Sequence, residues 1–415
     1  MSEKASGLDV YFREMLAGRL WMDERRRFVF QYDDGWLKSS RIFPLSLSLP
    51  LRQEPYTDDA ARPFFANLLP EGEIRELIAK QFRISEQNVF SLLEKIGGEC
   101  AGAVSILPGG AMPVERSGYR ELDEEGLHRV LSELPKRPLM AGEKGVRLSL
   151  AGAQNKLPVF IDDKKKICIA TGNSPSTHIL KPPIPRIEES VENEAFCMTL
   201  ALRMQLSVAD VAIRRNEDQI LVVTRYDREK QKNGAILRLH QEDFCQALGI
   251  LPEQKYESEG GPSLERCFSL LKEHSIRPAA DRRALLGWTI FNVLVGNADA
   301  HAKNLSILFT DKGPRLAPFY DLLSTQVYPN LAEKFAMKIG GENRASWLHV
   351  RNWERFADAV SLKRRYALGT VRSMAERIVS VAEPIAKSFG ESHIVSKIME
   401  LLRKRAATLS EALSP

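Results

Sequence analysis

The apolar run ALLGWTIFNVLV stops at Gly296-Asn297, and Asp299, His301, Lys303 and Asn304 follow at once. A chain written this way forms a buried helix that breaks into a polar loop. LSILFTDKGPRLA (residues 305–317) then reads as a hairpin, and PFYDL places a second carboxylate, Asp321, just beyond it. Asp299 and Asn304 stand at the D-x-x-x-x-N spacing of kinase catalytic loops, although the letters around them differ from those of ordinary eukaryotic-type kinases. The residue types suit phosphoryl transfer. One carboxylate takes the proton of an attacking hydroxyl, Lys303 offsets charge on the phosphoryl group, and Asn304 and Asp321 are hard oxygen ligands for magnesium. A solvated loop would also be polar, but a plain loop does not account for the joint pattern that includes Asp321.

Composition narrows the class. With 44% hydrophobic and 27% charged residues over 415 positions, the chain reads as globular and is long enough for more than one structural unit. A net charge of +5, from 59 basic against 54 acidic side chains, does not by itself point to nucleic acid. The N-terminus lacks the apolar core of a signal peptide, and no run approaches the length of a membrane span. A cytoplasmic protein is expected. Cys100, Cys168, Cys197, Cys245 and Cys267 are scattered without a C-x-x-C pair, and the seven histidines show no H-E-x-x-H. Reduced, buried thiols are expected, and a transition-metal site is not.

The hydrophobic period divides the chain. LDVYF, RLWM and RFVFQY alternate as strands, and PLSLSLPL (residues 44–51) reads as another. RPFFANLLPEGEIRELIAKQF switches to the helical period, which EQNVFSLLEKIG continues. These make a first unit, 1–107. Residues 108–146 form a connector with one helix, DEEGLHRVLSEL. RLSLAG, KLPVFID, KICIA and THILK then read as strands, a helix runs over residues 190–206, and DVAIRRN and QILVVTRYDR form a strand pair, completing a β-rich lobe, 147–236. From 237 to 415 the chain reads as mainly helical, apart from the 305–317 hairpin.

Other segments could carry chemistry. Lys181 ends THILK ahead of a helix bearing Glu192 and Glu194, as a phosphate-anchoring lysine and its glutamate would, with Glu192 the preferred partner; a surface lysine is the plainer reading. LSLAGAQNK (residues 148–156) has small residues that let backbone N–H groups approach a phosphate, but only one glycine. KYESEGGPS (residues 255–263) reads as a turn. SLKRRYALGTVR reads as a solvated helix face or a nucleic-acid contact.

Taken together, PLSLSLPL, FFANLLPEG, LSLAGAQNK, THILK, ENEAFC, RLHQEDFCQALG, KYESEGGP, GNADAHAKN and PFYDLLS occur in one order that resembles the HipA family, the toxin kinases of bacterial type II toxin–antitoxin modules. The resemblance implies an α+β, bilobal protein-kinase-like fold related to phosphatidylinositol kinases, with an extra N-terminal α/β subdomain and a helical C-terminal lobe. It implies ATP and Mg2+ as cofactors. Carried over by position, the phosphate loop is Ala151, Gly152, Ala153, Gln154, Asn155 and Lys156, and the ATP-contacting lysine is Lys181. The adenine hinge is Thr224, Arg225 and Tyr226. Asp299 becomes the catalytic base, His301, Ala302, Lys303, Asn304 and Tyr320 line the nucleotide, and Asp321 with Asn304 binds magnesium. Ser149 matches the serine that family members autophosphorylate to shut the kinase off. A phosphate there adds a charge of about −1.5 to −2 beside a loop built to hold phosphates.

The implied partners are a HipB-like helix-turn-helix antitoxin and a protein substrate of the translation machinery, such as the glutamate-type aminoacyl-tRNA synthetase. GGENRASWLHVRNW offers no counterpart to the lysine-rich segment that meets operator DNA in the best-known relative, so operator contact is expected mainly through the antitoxin. No membrane partner is expected. Two other readings stay open: a small-molecule phosphotransferase of the antibiotic-modifying type, and a catalytically idle co-repressor.

Overall fold

The computed structural model describes residues 7–40, 42–113 and 118–412; residues 114–117 of the expected connector lie outside them. The chain divides into two compact units, Met1–Pro182 with Asn216–Asp218 and Val222–Pro252, and Pro183–Arg215 with Gln219–Leu221 and Glu253–Pro415.

In the first unit, the alternating N-terminal segments become strands Leu8–Phe12, Met15–Met22 and Phe28–Tyr32. Val104–Pro108, which period alone did not mark, closes this antiparallel sheet beside Leu8–Phe12. Its inner face packs aromatic rings, with Phe30 and Phe65 edge to face at 5.3 Å. The helical stretch after residue 57 is two helices, Asp58–Ala66 and Gly72–Phe82. Between them Asn67 donates from Nδ2 to Pro63 O and Ile250 O, both at 2.8 Å, and Pro70 has no N–H with which to continue a helix.

PLSLSLPL is not a strand. It is a turn closed by one bridge, Ser46 to Leu49, that buries Leu45 and Leu49. Side chains take the place of a neighbouring strand. The Tyr32 hydroxyl accepts from Leu45 N and donates to Leu49 O, while Glu242 accepts from Leu47 N and the Ser46 hydroxyl. Leucine at every second position marks burial here, not a ladder.

A further sheet in this unit has Gly118–Leu122, Ile167–Thr171, Leu157–Ile161 and His178–Lys181 as neighbours in that order. The first of these strands was read as connector, because as a mostly exposed edge it carries no apolar alternation. The helix that follows, Glu124–Glu133, is capped by the Asp123 carboxylate on Gly126 N. RLSLAG, expected as a strand, is an irregular segment with single bridges from Leu148 to Glu99 and from Gly152 to Pro70.

In the second unit, helices Ser190–Arg203, Pro278–Val295, Arg364–Ser388 and His393–Ala412 pack on one another. Trp288, Phe291 and Phe196 are fully buried there. The hairpin is Ser306–Thr310 with Gly313–Leu316. A second strand pair, Lys334–Ile339 with Glu342–Arg344, departs from the mainly helical expectation; KFAMKI is too short to declare a period. SLKRRYALGTVR opens Arg364–Ser388 on its solvated side, where Arg364 pairs with Asp358 at 2.5 Å.

All five cysteines are buried and none is in a disulfide. Among the described residues, no helix is long and apolar enough to cross a membrane.

Candidate active site

The segment 147–156 is held by neighbours in its own unit. Ser149 N donates to Glu99 O at 2.9 Å, Glu71 N donates to Gly152 O at 3.2 Å, and the Ser149 hydroxyl, wholly buried, donates to Leu68 O at 2.7 Å. FFANLLPEG is thus the clamp on LSLAGAQNK. Gly152 has φ +110°, and a Cβ there would stand 2.6 Å from Lys156 Nζ, so no other residue fits unstrained. Lys156 Nζ donates to Ala151 O at 2.6 Å.

Leu157 pairs with Leu180, and Pro158 with Ile179. The next step of that antiparallel register brings Lys156 and the buried Lys181 to the same end of the strand pair.

Thr224, Arg225 and Tyr226 sit at the other end of His178–Lys181, where Arg225 N donates to Thr177 O. Four strand residues separate them from Lys181, about 13 Å. The Arg225 side chain is committed elsewhere. Its guanidinium pairs with Asp227 at 2.8 Å and Glu99 at 3.2 Å, and Arg228 pairs with the same two carboxylates. Burial alone would raise the Asp227 and Glu99 carboxyls; Arg225 and Arg228 outweigh it and hold both below the usual carboxylate range. Arg225 therefore has only its backbone to offer a ligand. The Tyr226 hydroxyl donates to Gln241 Oε1.

In the second unit, helix Pro278–Val295 ends at Gly296 in the left-handed conformation, and the polar loop begins there. Each turn of that loop is tied down. Asn297 Oδ1 accepts from Asp299 N at 3.1 Å, the Thr325 hydroxyl accepts from Ala298 N at 2.7 Å, and Ala336 N donates to Ala298 O at 3.0 Å. The Asp299 side chain stays half exposed, whereas the His301 side chain is 6% exposed. Ala302, Lys303 and Asn304 form one buried turn of 3-10 helix.

Asn304 Nδ2 donates to the Asp299 main-chain carbonyl at 3.3 Å. Tyr320 donates from its hydroxyl to Lys303 O at 2.8 Å, fixing the approach to Asp321, which itself has φ +54°. Among the described residues no cluster of three or more histidine, cysteine or acidic side chains occurs. Magnesium needs none, since one carboxylate, one amide oxygen, water and phosphate oxygens suffice.

Three residues of the candidate site carry no motif in the sequence. Asn193, one letter inside ENEAFC, donates to Ser324 O at 2.8 Å and accepts from Ser324 N at 2.7 Å, pinning the chain beyond Asp321. On either side of Asn193, Glu192 accepts from Gln219 Nε2 and Glu194 is buried. Glu99 carried no motif at all. Tyr256, in the loop read as a turn, donates from its hydroxyl to Asp299 Oδ1 at 2.6 Å.

The fold is that of a mixed helix-and-sheet protein. Residues 8–107 match the HipA N-terminal domain, and residues 148–382 match the HipA-like C-terminal domain. The chain belongs to the HipA family. The Sinorhizobium fredii protein Y4mE is 44% identical over 96% of this chain and 97% of its own length. The serine/threonine-protein kinase toxin HipA of Shewanella oneidensis is 32% identical over 92% of this chain and 90% of its own length. A solved complex of Shewanella oneidensis HipA, HipB and operator DNA contains a chain that matches with TM-score 0.85 and 30% identity, covering 98% of this chain and 99% of that one.

Proposed function

We propose that this protein is an ATP- and magnesium-dependent serine/threonine protein kinase, the toxin of a type II toxin–antitoxin pair. The observation that carries the proposal is the Asp299 loop: a half-exposed carboxylate on a tied-down backbone, with the Asn304 amide turned on it. In this reading the kinase fold is bilobal and phosphatidylinositol-kinase-related, 1–107 is an added subdomain, 147–236 is the nucleotide lobe and 237–415 the catalytic lobe.

Asp299 orients the acceptor hydroxyl and takes its proton as oxygen bonds to the γ-phosphorus. The bond between γ-phosphorus and the β,γ-bridging oxygen breaks, and ADP leaves with the electron pair. Lys156, Lys181 and the backbone of 151–155 hold phosphates, the backbone of 224–226 meets adenine, and Lys303 offsets transferring charge. Asn304 and Asp321 would hold Mg2+, which supplies charge neutralisation at the phosphates.

Ser149 is the autophosphorylation site in this reading. Its hydroxyl is buried against Leu68 O, so the loop must leave that clamp before the serine can accept a phosphate, and a charged phosphate cannot return to it. The Shewanella complex of HipA, HipB and operator DNA supports a HipB-like antitoxin and operator DNA as partners; the proposal is that this chain reaches the DNA mainly through the antitoxin. The protein substrate proposed is a translation component, an aminoacyl-tRNA synthetase of the glutamate type.

The test is incubation with γ-labelled ATP and Mg2+, wild type beside Asp299→Gln. Label on Ser149 and on a lysate protein with wild type only is expected, and a loss of at least about a hundredfold in the variant. Absence of label from both proteins overturns the kinase reading and leaves the co-repressor. Label on an added aminoglycoside alone would identify a small-molecule phosphotransferase.

A further inference from the structure

Tyr256 lies in KYESEGGPS, a loop to which the proposed chemistry gives no part. Its phenol donates to Asp299 Oδ1 at 2.6 Å, and its ring stands edge to face on the His301 imidazole, with centroids 5.3 Å apart. The contact is built, not incidental. Glu259 N and Gly261 N both donate to Tyr256 O, folding the loop around the tyrosine backbone. A Cβ on Gly261 would meet Gln254 O at 2.1 Å, so this close turn admits glycine alone. Both partners are also fixed to one strand, Lys334–Ile339: Glu257 accepts from Lys338 N at 2.7 Å, and Ala298 O accepts from Ala336 N at 3.0 Å. The strand thus sets the Tyr256 loop and the Asp299 loop two residues apart.

We propose that Tyr256 is a positioning residue for Asp299, an inference that rests on the kinase reading above. An aspartate rotates freely about its last torsion, whose energy profile is broad and roughly two-fold. A phenol on Oδ1 stops that rotation and leaves Oδ2 for the acceptor hydroxyl. The side chain of Asp299 is 50% exposed while it makes this bond, so tyrosine does not occupy the whole carboxylate. A catalytic group held in one geometry reacts faster than one that must find it, and a misplacement of about 1 Å costs on the order of a hundredfold.

The experiment compares wild type with Tyr256→Phe, which keeps the ring against His301 and removes only the hydroxyl. Phosphate transfer from γ-labelled ATP to casein and to the chain itself gives kcat and KM, calorimetry gives ATP affinity, and urea unfolding gives stability. The expected result is kcat lowered about ten- to a hundredfold, with ATP affinity and the unfolding midpoint unchanged. Tyr256→Leu, which also removes the ring, should lower kcat at least as far. An unchanged kcat in Tyr256→Phe overturns the inference. A raised kcat also overturns it, since tyrosine would then be obstructing the acceptor. Loss of kcat together with ATP affinity and stability overturns it in favour of a purely structural role. Wild type that labels nothing, although it binds ATP, brings down the kinase reading and this inference with it.

Discussion

The segment around Ser149 and the loop around Asp299 are both irregular backbone, yet they are held by different means. Residues 147–152 are anchored on the main chain of their neighbours: Ser149 N on Glu99 O, Gly152 O on Glu71 N, the Ser149 hydroxyl on Leu68 O and the Arg147 guanidinium on Glu94 O and Ile106 O. The Asp299 loop is tied by side chains at nearly every step: Asn297 to Asp299 N, Thr325 to Ala298 N, Tyr320 to Lys303 O. In the proposed reading, anchors that end on the main chain of neighbouring turns suit a phosphate-binding segment that must release, and side chains that grip a loop's own main chain suit a base that must not move.

The largest way to break that contrast is at Glu99, whose main chain carries Leu148 and Ser149. Its carboxylate is completely buried against Arg225 and Arg228. Glu99→Ala leaves two guanidiniums short of a partner, and removing one member of a buried pair costs roughly 3–5 kcal/mol. The expected outcome is a fall of that size by urea denaturation. Hydrogen exchange of a folded fraction should show faster amides at 147–152, with 296–304 unchanged. Equal loosening of both segments would refute the contrast.

Thr325→Val probes the other side with a smaller effect. Valine keeps the volume and removes the acceptor for Ala298 N, leaving a buried donor unpaired at about 1–3 kcal/mol. Exchange should now quicken at 297–300 and not at 147–152, and kcat should fall more than ATP affinity does. A fall in ATP affinity alone would place Thr325 outside the Asp299 brace.

How far these features were legible from the residues varies with what each depends on. The strand Leu157–Ile161 and the helix ending at Gly296 were readable as apolar runs of strand and helix length, and the helix Ser190–Arg203 from apolar residues recurring at the helical period. PLSLSLPL misled, because alternation records burial and says nothing of whether a partner strand exists; Tyr32 and Glu242, far off in sequence, decide that. Asp299, Asn304 and Asp321 were legible from spacing, since phosphoryl transfer restricts both types and intervals. Tyr256 and Asn193 were not. Their roles come from contacts spanning 43 and 131 residues, and a tyrosine in a charged turn carries no local mark of them.

Glu242 gives the finest test, because it links the misread PLSLSLPL turn to pH. In the unfolded chain its carboxyl titrates near 4.5; in the fold, burial pushes it up to about 8, although the Ser46 hydroxyl and Leu47 N–H pull it down. Between those values the folded protein keeps a proton that the unfolded chain has released, so stability falls as pH rises through the window and levels off beyond it. Nearby His240, which burial lowers to about 4, acts in the opposite sense, but only below its unfolded value of 6.5. Urea unfolding between about pH 6.5 and about pH 8 therefore isolates the carboxyl, with an expected loss on the order of 1.5 kcal/mol. Glu242→Gln, which keeps an acceptor for Leu47 N, should flatten that slope. A slope that survives the substitution would show that the proton resides on another group, and the turn would owe its place to Tyr32 alone.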